Sequence, residues 1–82
     1  MTISKLSNIP LKEFRRFLIK EGLTQSKSVR GRGGHEKWVK SGLQRPITLQ
    51  SHIDPVPEFI VKQVLRYLNF DRAVFLDKMN NL

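Results

Sequence analysis

The chain has 82 residues and no cysteine, which limits it to one small domain over residues 1–82, with a core at about 5–77, and excludes disulfide staples, thiolate metal sites and cysteine nucleophiles. Fifteen Lys and Arg against seven Asp and Glu give a net charge of +8. Residues 1–48 carry eleven basic and three acidic side chains and residues 49–82 carry four of each, so the whole excess lies in the first part. A basic surface placed in this way favours RNA, DNA or an acidic protein as partner, although a soluble domain of high isoelectric point has the same composition. No run approaches the ~18 apolar residues of a membrane span, and Met1–Ser7 has no apolar core of signal-peptide length. A cytoplasmic protein without a membrane partner is expected.

In chain order, Pro10 suits the first turn of a helix, where its missing N–H needs no acceptor, and Gly22 suits the position just past the end. Leu11, Phe14 and Leu18 recur at helical spacing between them, with Phe17 widening the stripe. Lys12, Arg16 and Lys20 recur every four residues on another side and form a secondary basic face.

Leu23–Arg30 reads as a marginal strand, with Val29 its main β-former, whereas His35–Lys40 and Pro46–Ser51 read as better strands joined by a turn at Ser41–Gln44. Pairing Lys40 with Arg45 sets Trp38 opposite Ile47, Lys37 opposite Thr48, Glu36 opposite Leu49 and His35 opposite Gln50. Alternation then puts Trp38, Ile47 and Leu49 on a face covered by helices. His35, Lys37, Thr48 and Gln50 fall on the other face, joined by His52 if the strand runs on that far. Glu36 is a misfit on the apolar side, tolerable at the edge of the sheet.

Ile53–Pro57 is a stiff connection that ends strand pairing. Glu58–Leu68 follows as a helix whose Ile60, Val61, Val64, Leu65 and Leu68 form the most apolar stripe in the chain, marking it as the main core helix. Asp71 can cap a last short helix, with Phe70 stapled against Phe75, and the tail Lys78–Leu82 is expected to fray. The expected class is α+β: a three-stranded antiparallel sheet with helices on one face and a short C-terminal helix. The helix–strand–strand–strand–helix order is that of a small sandwich resembling a double-stranded-RNA-binding domain.

The stretch Val29–Trp38 brings three glycines, two arginines, a lysine and a histidine into ten residues. Glycines allow a tight bend, and guanidinium and ammonium groups suit a phosphodiester. The same residues also fit a hairpin loop whose charges are only solvated. The segment lacks the Lys-Ser/Thr of a phosphate-binding P-loop. Two histidines with neither a cysteine nor a carboxylate beside them make a poor metal site, so no metal or cofactor is expected.

Gly33-Gly34-His35-Glu36-Lys37-Trp38, the strand Ile47–His52 ending in histidine, the Pro-containing loop, the helix residues Val64–Leu68 and the tail Ala73–Leu76 together resemble the HicA (YcfA-like) toxin family. The resemblance covers about residues 5–77. It implies a toxin of a toxin-antitoxin system, an endoribonuclease that cleaves mRNA and is neutralised by a HicB-type antitoxin, with the catalytic histidine falling on His35. This chain departs from the family's Gly-Ser-His by Gly34 in place of serine, and its first loop is longer. Metal-free RNA cleavage needs a base for the ribose 2′-OH, an acid for the leaving 5′-oxygen and positive charge on the non-bridging oxygens. His35 can serve as base or acid, His52 as a second proton carrier, and Arg30, Arg32 and Lys37 as phosphate contacts. Trp38 faces inward as a core anchor rather than outward as a base-stacking platform. The alternative is a non-catalytic RNA-binding module of the same fold.

Overall fold

The computed structural model describes residues 2–26 and 34–82. Arg30 and Arg32, with most of the Gly-rich loop and the end of the first expected strand, lie outside the described residues. The elements are α1 (Leu11–Lys20), β1 (Thr24–Ser26), β2 (His35–Val39), β3 (Ile47–Gln50), α2 (Glu58–Leu68) and α3 (Arg72–Asn80). They form an α+β fold in which an antiparallel sheet of order β1-β2-β3 carries helices on one face.

The β2–β3 register pairs His35 with Gln50, Glu36 with Leu49, Lys37 with Thr48 and Trp38 with Ile47, as the alternation of the sequence requires. Glu36, Trp38, Ile47 and Leu49 are buried under the helices, whereas His35, Lys37, Val39, Thr48 and Gln50 are exposed on the opposite face. β2 is the central strand. Glu36 lies on this strand one position past its last described pair with β1, Ser26–Lys37, and its burial calls for partners for its charge.

The aromatic core is built by α1 and α3 more than by α2. Phe17 is fully buried, its ring 5.0 Å from Phe75 in an edge-on arrangement and 5.7 Å from Phe14. Phe70, expected to staple Phe75, sets its ring edge-on to Phe17 at 6.3 Å, so Phe17 is the ring that both residues meet. α2 contributes Val61, Val64 and Leu65, while Ile60 and Leu68 pack only partly buried against that cluster.

The helix ends are specified by short polar devices. After α1, Gly22 adopts φ +92° and the N–H groups of Gly22 and Leu23 donate to Ile19 and Leu18, a Schellman closure whose apolar residue, Leu23, is buried. Asn69, with φ +60°, closes α2 in the same way through the Phe70 N–H to Leu65 O bond. Asp71 caps α3 by accepting from the Val74 N–H at 2.8 Å. Pro10 lies just before α1 rather than within it and offers no side-chain cap. The Leu11 N–H donates instead to Asp54 Oδ1 at 2.9 Å.

The C-terminal tail does not fray as expected. α3 continues to Asn80, Met79 is buried, and the Asn80 amide pairs with the Ile3 backbone, donating to its carbonyl at 2.8 Å and accepting from its N–H at 2.7 Å. Two hydrogen bonds at Asn80 and the buried Met79 hold a last turn whose other residues are polar. No helix among the described residues is long and apolar enough to cross a membrane.

Candidate functional site

The face of the sheet turned away from the helices has no covering element among the described residues. His35 and Lys37 alternate along β2, and Thr48 and Gln50 stand opposite them on β3, all exposed. β1 adds Thr24 and Ser26 beside Val39 and Lys37. The face is polar and open, and it suits an extended polar ligand better than an enclosed small molecule. A cavity of about 140 Å³ lies to one side, lined by residues such as Leu11, Ile53 and Phe59; Gln50 reaches it, but neither histidine does.

His52 arrives by a different route from the one expected. β3 stops at Gln50, the Ile53 N–H turns back to the Gln50 carbonyl at 3.3 Å, and strand alternation ends before His52. The Ser51 N–H donates to Gly34 O at 2.6 Å and keeps the two strands together one position past the last pair. The His52 ring thereby comes down beside Gly34, with Cε1 3.2 Å from where a Cβ on that residue would stand. Gly34 has φ +85°, which glycine adopts without the penalty of a side chain. The two histidines of the chain are thus attached to one bend: His35 follows Gly34 in sequence, and His52 packs on it.

Beneath this face lies the one buried charged side chain among the described residues, Glu36, at 5% exposure. Its Oε1 accepts from Trp38 Nε1 at 3.1 Å and from Arg15 Nε at 3.2 Å, and its Oε2 pairs with Arg15 Nη2. Arg15 comes from α1 and stays about one-third exposed, its side chain at 35%. Burial pushes the Glu36 carboxyl upward, but hydrogen bonds from Arg15, Ser51 and Trp38, together with the Arg15 charge, outweigh it and hold the group below the usual carboxylate range. The same hydrogen bond raises the Arg15 guanidinium above its ordinary value. Glu36 is tolerated in the interior because α1 supplies a cation and Trp38 a donor. Arg15 was not legible as its partner, since it belongs neither to the apolar stripe nor to the row of Lys12, Arg16 and Lys20.

That row occupies the helix layer, not the open face of the sheet. Lys12 is exposed, Arg16 pairs with Glu13 at 3.0 Å, and Lys20 reaches the Asn81 carbonyl at 3.3 Å. The secondary basic face is therefore separate from His35 and Lys37 and partly engaged by the protein itself. Arg30 and Arg32 lie outside the described residues. Among the described residues no group of three His, Cys, Asp or Glu side chains is gathered where a metal could be held. Comparison with family models, curated proteins and solved structures finds no match to this chain.

Proposed function

We propose that this protein is a metal-independent endoribonuclease of the HicA type that cleaves mRNA, acts as the toxin of a toxin-antitoxin pair and is silenced by a HicB-type antitoxin. The observation that carries the proposal is the exposure of His35 on a sheet face that no described element covers, two residues from Lys37 and joined through Gly34 to a second imidazole, His52. The resemblance of the Gly33–Trp38 and Ile47–His52 segments to that family supports it, as does the +8 charge gathered in residues 1–48.

In this reading one imidazole takes the proton from a ribose 2′-OH, the 2′-oxygen attacks the adjacent phosphorus, and the bond from phosphorus to the 5′-oxygen breaks. The other imidazole, protonated, delivers its proton to that leaving oxygen, giving a 2′,3′-cyclic phosphate and a 5′-hydroxyl. Lys37, with Arg30 and Arg32, neutralises the charge that builds on the non-bridging oxygens. Trp38 takes no part, because it is buried with its indole N–H bonded to Glu36. Expression of the wild type beside His35→Ala in bacteria tests the reading. Growth arrest and mRNA cleavage by the wild type alone are expected, with cleavage of pure RNA persisting in excess EDTA. Equal harmlessness of the two proteins, with RNA bound but uncut by both, would establish the binding module instead.

A further inference from the structure

We infer that Glu36 is a positioning residue: its buried carboxylate, clamped by Arg15 and Trp38, holds the leading end of β2 in the attitude that presents His35. The inference rests on the nuclease reading of the same site.

A carboxylate is an expensive occupant of a central strand's inner face, and a leucine there would pack with less loss of hydration. Its neighbours on that face, Trp38, Ile47 and Leu49, are apolar and buried. What the carboxylate adds is direction. Apolar contacts tolerate sliding, whereas the three hydrogen bonds from the Arg15 and Trp38 side chains fix the carboxylate both along the strand and about its axis. The location matters as much as the chemistry. Glu36 is the second residue of β2, and His35, the first, points the opposite way from the same short backbone.

Beyond His35 the contacts among the described residues are few. Gly34 leaves the β region at φ +85°, and the last cross-strand bond is that from Ser51 to its carbonyl. The His52 ring packs at this same point. A β2 end free to twist would carry both imidazoles with it. Glu36 joins that end to α1 through Arg15 and so ties it to the rigid helical layer.

The test exploits the difference between holding a fold together and aiming a side chain. An Arg15→Met, Glu36→Leu double variant replaces the clamp by apolar contacts and should remain folded, with a melting temperature equal to or above the wild type. Its kcat for RNA cleavage should fall roughly 10- to 100-fold with KM changed less than about twofold, the response to a misplaced reacting group. Glu36→Gln, which keeps the shape and loses the charge, should fall in between. NMR gives a readout independent of activity: the His52 ring-current shift at the Gly34 amide and the exchange protection of the Ser51 amide should both weaken in the double variant. A stable double variant that cleaves like the wild type and keeps both signals overturns the inference and leaves the nuclease reading standing. If the wild type itself does not cleave, the nuclease reading falls, and intact NMR signals in the double variant overturn the positioning role as well.

Discussion

The imidazole of His52 takes the space that a side chain on Gly34 would need, its Cε1 lying 3.2 Å and its Nδ1 3.4 Å from the position of a Cβ there. This contact gives physical meaning to a residue without a side chain at position 34. Residue 34 without a side chain and residue 52 with a ring fit one another.

Gly34→Ser should therefore cost about 1–2 kcal/mol from the positive φ alone, with an added penalty from the ring. In a His52→Ala background the added part should vanish. Urea unfolding of the four proteins of the cycle measures it, and a coupling indistinguishable from zero would show that the ring yields freely.

His35→Ala should leave stability within about 0.5 kcal/mol of the wild type, because the side chain is exposed and the strand pairing does not involve it. Cleavage should drop by about 100-fold or more. Thermal melts alongside an RNA assay separate the two effects.

The Glu36–Arg15 pair predicts a specific acid response. Since the folded carboxyl titrates below its unfolded value, the unfolded chain binds more protons between those two values. The stabilisation is fully present above the usual glutamate range and is lost as pH falls through and below it. Glu36→Gln should flatten the acid limb of a stability-against-pH curve. At neutral pH, Arg15→Met should cost about 2–3 kcal/mol, less than the ~3–5 of a fully buried pair because part of the guanidinium is already in water.

Asp54 closes the start of α1 from 43 residues away. Asp54→Ala should cost about 1 kcal/mol, and Asp54→Asn, which keeps an acceptor, should recover most of it. Chemical denaturation of the two variants checks the order.

What could be read from the sequence is local and periodic. The pairing of His35 with Gln50 follows because both strands alternate apolar and polar residues over a short turn, so a slip of one residue would expose Trp38 and Ile47. The bounds of α2 follow from an apolar stripe bracketed by Pro57 and Asn69. Polar contacts between residues far apart in sequence could not be read. Arg15 meets Glu36 across 21 positions, Leu11 meets Asp54 across 43, and Asn80 meets Ile3 across 77. No periodicity marks such pairs, and without them Glu36 looks like an error and the tail looks loose. The place of His52 could not be read for a related reason: it is set by a turn closing on Gly34, not by alternation along β3.

The strands are brief, three, five and four residues long. At about 3.3 Å per residue and 4.8 Å between strands, the described part of the open face measures on the order of 15 by 10 Å. A polymer laid across these strands meets them over only a few monomers at a time. On the nuclease reading, a long transcript would be sampled window by window, with few contacts from these strands to tell one window from the next, and its scission would be spread over many short sites rather than confined to one extended motif.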